Sequence, residues 1–162
     1  MASTVNIKEL ISTLPQVGEV QWIGLRSAKR VALDSRSEVA VSVAGGLEGD
    51  HYSGSSRKRQ VTLIQAEHLA AVAQLLSKEV IDPSLTRRNI VVAGINLVAL
   101  QDQRFKIGEV VLETTGLCYP CSRMEENLGP GGYNAMRGHG GINARVISGG
   151  KIKLGDTVSL EK

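Results

Sequence analysis

The sequence predicts a mainly β (α+β) protein, a closed or nearly closed β-barrel of short, mostly antiparallel strands with one amphipathic helix. Three observations lead to this fold class. Apolar residues fall in short runs broken by Gly, Asp, Asn and Pro. Some runs alternate, as Val39, Val41 and Val43 do, which is the two-residue period of a strand. The 162 residues hold no repeat or linker, so we expect one domain over 1–162.

The predicted strands follow one another along the chain. The apolar runs bounded by turn residues are 17–25, 37–46, 59–64, 89–100, 105–115 and 141–162. Gly94 splits the fourth run, which therefore holds one or two strands, and Gly108 marks a turn in the fifth. Gly149 and Gly150 divide the last run into two strands, which we expect to be joined by a two-residue hairpin turn. Many short strands with regular turns are typical of a barrel.

The main helix is predicted over 65–78. There Leu69, Val72 and Leu76 fall on one face, which is the 3.6-residue period of an amphipathic helix. An acidic residue near its start and a lysine at its end match the helix dipole. Two shorter helical segments are expected at 6–13, with Asn6 as N-cap, and at 82–89.

Composition and charge narrow the class of function. The net charge is +3 and the pI about 9.0, a mild excess of positive charge that favours anionic partners but does not demand nucleic acid. Aromatic residues make up only 3%, so no stacking platform for nucleic acid is expected. No apolar run approaches the roughly 20 residues of a membrane span, and the start does not resemble a secretory signal. We therefore expect a cytoplasmic protein that binds neither nucleic acid nor membrane and has no structural disulfide.

The segment 116–128, GLCYPCSRMEENL, reads as a strand end, a turn and a helix. Ser122 and Glu125 have capping-box spacing, which predicts Ser122 as N-cap and puts Cys121 directly before the helix. Backbone amides, the helix dipole and Arg123 would favour a thiolate there. A thiolate so placed is a nucleophile or a soft-metal ligand. The alternative is a small buried apolar side chain.

The pair Cys118 and Cys121 has C-x-x-C spacing, so a thiol–disulfide module is a further hypothesis. The strand, turn and helix around the pair suit it. However, a thioredoxin-like fold needs alternating βαβ units, and this chain is rich in strands with one clear helix. A zinc site would need a second ligand pair, and the three histidines show no such spacing.

Glycine is concentrated after the cysteines, where residues 129–150 hold eight of the 18 glycines. Glycine lets backbone N–H groups approach an anionic ligand closely, although tight turns are the simpler interpretation. A similar glycine-rich stretch upstream carries Asp50, which is either a turn residue or part of a pocket, and Arg57. The charged residues of the downstream tract, which could meet a phosphate, are Arg137, His139 and Arg145.

Several segments together resemble the MOSC family, the molybdenum cofactor sulfurase C-terminal domains, in its small stand-alone form. They are GLEGDHYSG, RQVTLI, RRNIVVAGINLVAL, FKIGEVVLETTGLCYPCSRM, GPGGYNAMRGHGGINARVISGG and IKLGD. The resemblance covers about residues 17–160. It implies a mainly β barrel that binds the molybdenum cofactor (molybdopterin) or carries sulfur. The family's functional cysteine falls on Cys121, which in larger relatives is the molybdenum ligand and a catalytic residue.

The resemblance also implies partners and further site residues. The larger relatives reduce N-hydroxylated small molecules with electrons from a reductase. The alternative is a sulfur carrier in which a cysteine desulfurase loads a persulfide onto Cys121. Relatives often carry C-S-R-C, whereas this chain has Met124 at the last of these positions, so the second downstream thiol is missing. Binding of pyridoxal phosphate is not expected. The candidate cofactor-binding residues are Arg57, Arg88, Arg137 and Arg145 for the phosphate, Asn89 and Asp50 for the pocket, and His139.

Overall fold

The structure is a computed structural model that describes residues 4–29, 31–51 and 56–162. Its strands are β1 (Gly18–Leu25), β2 (Asp34–Arg36), β3 (Glu38–Ser42), β4 (Gly46–Leu47), β5 (Val61–Gln65), β6 (Ile90–Ala93), β7 (Arg104–Ile107), β8 (Val110–Leu117), β9 (Ile142–Ser148), β10 (Gly150–Lys153) and β11 (Thr157–Leu160). Its helices are α1 (Ile7–Ser12), α2 (Ala66–Leu75), α3 (Ser122–Leu128) and α4 (Gly132–Met136), with 3₁₀ turns at Pro83–Thr86 and Leu97–Leu100.

Seven strands close into a barrel in the order β1, β11, β7, β8, β9, β5, β6 and back to β1. The barrel closes where Gly18 of β1 lies opposite Val158 of β11. All neighbouring strands are antiparallel except β5 and β6, which are parallel because α2 carries the chain back between them. The predicted barrel of short, mostly antiparallel strands is therefore confirmed.

Two apolar clusters hold the fold together. The first fills the barrel, where the alternating residues of each strand point inward, as Phe105 and Ile107 of β7 do. The second lies outside the barrel, where α2, α3 and α4 pack over β5 and β6. Met124 of α3 and Met136 of α4 are fully buried in it. This second cluster fixes the helix that follows Cys121.

The two shorter helical segments lie within the ranges that were predicted for them. Asn6 caps α1, since its Oδ1 accepts a hydrogen bond from the backbone N–H of Glu9 at 2.9 Å. Part of the predicted 82–89 segment forms a 3₁₀ turn whose first residue is Pro83. The main helix is shorter than 65–78 at both ends. Within the described ranges, no helix is long and apolar enough to cross a membrane.

The predicted hairpin at Gly149 and Gly150 is wrong. β10 leaves the barrel after β9 and pairs with β3, in a separate sheet ordered β10, β3, β4. Gly149 packs so closely on this sheet that a Cβ atom there would lie 2.5 Å from the carbonyl oxygen of Val41. The glycine therefore permits a close crossing of two chain segments. Gly94 also ends β6 without starting a strand, because the chain after it forms a 3₁₀ turn.

Candidate functional site

Cys121 is exposed at the end of the loop that joins β8 to α3. It is the N-cap of α3, and its carbonyl oxygen accepts a hydrogen bond from the backbone N–H of Met124 at 2.9 Å. The prediction that Ser122 caps this helix is wrong by one residue. Since α3 has only seven residues, the charge that acts on the thiol must come mainly from nearby side chains.

The carboxylate of Glu125 caps α4, and not α3 as its capping-box spacing from Ser122 predicted. Its two oxygens accept hydrogen bonds from the backbone N–H groups of Gly131 and Tyr133, at 3.0 Å each. These bonds lower the pKa of Glu125. Because Gly131 is the N-cap of α4, the carboxylate satisfies free amides at the start of α4 and joins α4 to α3.

In front of Cys121 lies a cavity of about 230 Å³, which we call the Cys121 cavity. Its walls come from the end of β1, the start of β5, the segment before β6 and the loop before α3. The residues that line it are Arg26, Asp50, Arg59, Thr62, Arg87, Arg88, Asn89, Cys118, Tyr119 and Cys121.

One wall of the Cys121 cavity is a hydrogen-bond network centred on Asn89, which is buried. Its Oδ1 accepts from the backbone N–H of Thr62 at 3.1 Å and from the Thr62 hydroxyl at 3.0 Å. Its Nδ2 donates to the carbonyl oxygen of Gly24 and to Oδ1 of Asp50. The same Asp50 oxygen accepts from the backbone N–H of Arg26 at 2.9 Å. Asn89 and Asp50 therefore tie β1 to β5.

Arg88 is a buried cation behind the cysteine loop, only 4% exposed. Its Nε donates to the carbonyl oxygen of Gly140 and its Nη1 to that of Thr86, both at 2.8 Å. Its Nη2 donates to the carbonyl oxygens of Cys118 at 3.3 Å and Tyr119 at 3.4 Å. Burial lowers the pKa of Arg88. Arg88 thus fixes the backbone that presents Cys121.

Two glycines of the downstream tract allow this arrangement. A Cβ atom on Gly140 would overlap the carbonyl oxygen of Cys118 and lie 3.1 Å from Nη2 of Arg88. Gly141 has φ +84° and packs in the same way on the carbonyl oxygen of Leu63. At these positions glycine allows close backbone packing behind the site.

A cluster of positive charge surrounds the thiol. Arg87 is half-buried and left-handed, with φ 61°. Burial lowers the pKa of Arg87, the charges of Arg26 and Arg123 lower it further, and the charge of Cys121 opposes them. In the part of the chain that the structure describes, no side-chain hydrogen bond or ion pair involves Arg87, and the buried Nε of Arg26 has no partner. Within the described ranges, the side chains of Arg26 and Arg87 therefore form no ion pair.

The other predicted phosphate-binding arginines lie away from this cavity. Arg57 donates from Nη2 to the carbonyl oxygen of Val146 at 2.6 Å. Arg145 forms an ion pair with Glu113, its Nε lying 2.9 Å from Oε1. Neither arginine lines the Cys121 cavity.

Arg137 and His139 also lie outside the cavity. Arg137 is exposed and donates to Oδ1 of Asn134 at 3.4 Å. His139 has Nδ1 3.0 Å from the carbonyl oxygen of Ala135, and its ring is edge-on to His68 with centroids 5.1 Å apart. Of the predicted site residues, the structure thus brings together Cys121, Asp50, Arg88 and Asn89. A cofactor role for the others stays a prediction.

Arg26 and Arg87 line the cavity but were not predicted from the sequence. Their positions carry a signal, because Arg26 directly follows the last residue of β1 and Arg87 directly precedes Arg88 and Asn89. Cys118 and Cys121 are both free thiols, the first buried. Among the described residues, no three His, Cys, Asp or Glu side chains come together to hold a metal. Cys121 could supply one ligand to a metal held mainly by other groups.

Comparison with known proteins gives a family and a fold. A family model described as "MOSC domain" matches residues 44–159. The YuaD protein from Bacillus subtilis is similar in structure, with a TM-score of 0.76 and 17% identity over 90% of this chain and 97% of that one. YiiM from Geobacillus stearothermophilus gives a TM-score of 0.73 and 16% identity over 90% and 75% of the two chains. YiiM from Escherichia coli gives a TM-score of 0.66 and 18% identity, over 89% of this chain and 70% of that one. No curated protein matches the sequence.

Proposed function

The chain belongs to the MOSC domain family, and from that membership and the cavity geometry we propose that it binds the molybdenum cofactor, with Cys121 as the thiolate ligand of the metal. One observation carries the proposal. The exposed Cys121 thiol lies at a cavity whose lining includes four arginines, Arg26, Arg59, Arg87 and Arg88. A soft thiolate suits molybdenum, and guanidinium groups suit the phosphate tail of the pterin.

The residues present fit such a group. Arg87 has its pKa lowered partly by its cationic neighbours Arg26 and Arg123, so an anion placed among them would relieve like-charge repulsion. The unpaired Nε of Arg26 is a buried donor, and a native structure rarely leaves one without a role. Arg26 and Arg87 would hold the phosphate, while Arg88 acts one layer behind them through backbone carbonyls.

The proposed reaction is reduction of an N-hydroxylated compound. A hydroxylamine, two electrons and two protons give the amine and water. When bound, the cofactor would supply the two-electron redox centre for this reduction. The chain's own residues would hold it in place: Cys121 would bind the metal, while Asn89 and Asp50 keep the cavity wall rigid. The electrons come from a separate reductase.

The test is molybdenum content. The chain is purified from a host that makes the cofactor and from a matched host that cannot, and molybdenum is measured by mass spectrometry. We expect about one metal per chain from the first host only, lost in Cys121→Ala. Ser122→Ala, an exposed neighbour, is the matched control and keeps its metal. Absence of molybdenum from the wild-type chain in the first host would rule the proposal out.

A second candidate function is sulfur transfer, favoured by the exposure of Cys121 beside a buried Cys118. A cysteine desulfurase partner would load a persulfide onto Cys121, which passes it to an acceptor. Incubation with a desulfurase and cysteine would then add about 32 Da to the intact chain, removable by reductant and absent in Cys121→Ala. A thiol–disulfide module would instead show a reversible bond between the two cysteines and equal sensitivity to loss of either.

A further inference from the structure

A second cavity, of about 590 Å³, lies beside the first and shares Arg59 and Tyr119 with it. We call it the Asn143 cavity. We propose that it binds the non-reacting end of the substrate and selects a planar end that carries an N–H donor and an acidic group. This rests on the proposed function, which supplies the reaction at Cys121. The residues that line it are Ser56, Lys58, Arg59, Gln101, Thr115, Gly116, Leu117, Tyr119 and Asn143.

The N–H donor is inferred from Asn143 itself. This side chain is only 7% exposed, and it points away from the barrel core because its neighbours Ile142 and Ala144 fill that core. Its Nδ2 donates to the carbonyl oxygen of Leu117 at 3.3 Å. Its Oδ1 is buried without a hydrogen-bond donor. A buried amide oxygen without a donor is rare, and a ligand N–H group would satisfy it once the side chain turns this oxygen toward the cavity.

The acidic group is inferred from the charges around the cavity. Lys58 and Arg59 contribute two cations, and no Asp or Glu is among the described residues that line it. Lys58 is held by its backbone, since its carbonyl oxygen accepts a hydrogen bond from the hydroxyl of Thr115. A carboxylate or phosphate is the group that such a wall attracts.

The planar shape is inferred from Tyr119, whose side chain is prominent at 71% exposure. An exposed aromatic ring offers a face on which a flat molecule can stack. The Tyr119 backbone is held in turn by Arg88. Because Tyr119 and Arg59 line both cavities, a molecule that lies on them can reach from the Asn143 cavity to the Cys121 cavity. The volume falls within the range of about 300–1,000 Å³ usual for small-molecule sites.

Gly116 gives a way to close the Asn143 cavity without disturbing the core. A Cβ atom built there meets nothing within 4 Å, so the position faces open space. Gly116→Val would fill part of this space. Asn143→Leu instead keeps the approximate size of the side chain and removes the unpaired oxygen. The substitution also removes the hydrogen bond from Nδ2 to the carbonyl oxygen of Leu117, so the unfolding midpoint of Asn143→Leu should fall by no more than the loss of one ordinary hydrogen bond explains.

The experiment is a binding titration with three related probes, 4-aminobenzoate, benzoate and aniline. It is followed by NMR on the full chain from a host that cannot make the cofactor. We expect 4-aminobenzoate to bind at least about tenfold more tightly than the other two, because only it has both groups. Asn143→Leu and Gly116→Val should each weaken it by about tenfold or more, while Cys121→Ala leaves it unchanged.

Equal binding of the three probes, no binding of any of them, or unchanged affinity in Asn143→Leu would overturn the inference. Molybdenum content separates this result from the proposed function. Asn143→Leu from the cofactor-making host should retain its metal. If it loses the metal as Cys121→Ala does, the Asn143 cavity belongs to the cofactor and the inference fails. If the wild type holds no metal but still binds 4-aminobenzoate selectively, the proposed function is wrong, while the inference that the Asn143 cavity binds such a ligand is retained.

Discussion

Replacing Arg88 by Met should destabilise the fold strongly, because it removes the donors for four backbone carbonyl oxygens. Each buried acceptor left without a donor costs about 1–3 kcal/mol. Part of this is offset, since burying the guanidinium is itself costly, as its lowered pKa indicates. Because four acceptors lose their donor and the desolvation cost offsets part of the sum, we expect a net loss of about 3–5 kcal/mol.

Two measurements check this prediction. Urea denaturation gives the free energy of unfolding, and native-state hydrogen exchange follows the amide of Cys118, which donates to the carbonyl oxygen of Gly141 at 2.8 Å. That amide should exchange faster in Arg88→Met, since the loop loses its anchor. A loss below about 1 kcal/mol, the cost of an ordinary hydrogen bond, would refute the reasoning.

The neighbouring Arg87 is the matched control. It is also an arginine of the Cys121 cavity, but no ion pair involves it within the described segments, and its neighbours repel it. Arg87→Met should therefore change the free energy of unfolding by less than about 0.5 kcal/mol, the range of ordinary surface substitutions. Under the proposed function it should still reduce the molybdenum content. Comparison of Arg88→Met with Arg87→Met would thus distinguish the arginine that positions the loop from the arginine that binds the anion.

Three further predictions concern stability. Gly140→Ala should destabilise the chain by about 3 kcal/mol in urea denaturation, because the added Cβ overlaps the carbonyl oxygen of Cys118. Two arginine side chains lower the pKa of Glu113, so Glu113→Gln should cost about 0.5–1 kcal/mol at neutral pH; that cost should fade as the pH drops from 4.5 through the lowered folded value. Burial, and then the charge of His139, lower the pKa of His68 despite the opposing charge of Glu67. The unfolded chain therefore binds the proton more tightly, stability falls as pH drops below 6.5, and His68→Gln should flatten that fall.

Each of these has an outcome that contradicts it. A Gly140→Ala variant as stable as wild type would mean that the cysteine loop can move away from the glycine. If the effect of Glu113→Gln stayed constant from pH 7 to about pH 3, its ion pairs would not be the cause. If the wild type and His68→Gln lost stability in parallel below pH 6.5, the titrating group would lie elsewhere.

The architecture was predictable because it depends on patterns among residues that are close together in the sequence. Alternation of apolar residues and the turn glycines predicted a barrel of short strands, and the period of Leu69 and Val72 predicted α2. The cap at Asn6 is also local, since donor and acceptor are three residues apart. The prediction that Cys121 lies at the start of a helix held to within one residue for the same reason.

The errors concern contacts between segments distant in sequence. Glu125 caps α4 although its spacing from Ser122 is that of a capping box, because two amides at the start of the next helix lie within its reach. Gly149 reads as a hairpin residue, yet β10 pairs with β3, more than 100 residues earlier in the chain. A local pattern sets the period of a strand but does not choose its partner.

By itself, then, the sequence determined the class of fold, most of the barrel strands, the main helix α2 and the position of Cys121 at the start of a helix. The tertiary structure decided which arginines surround that cysteine: Arg26 and Arg87 line the cavity, while Arg57 donates to a backbone carbonyl and Arg145 pairs with Glu113. It also placed the unpaired oxygen of Asn143 in a second cavity. The reason is physical, since where a long side chain ends depends on how distant strands close the barrel.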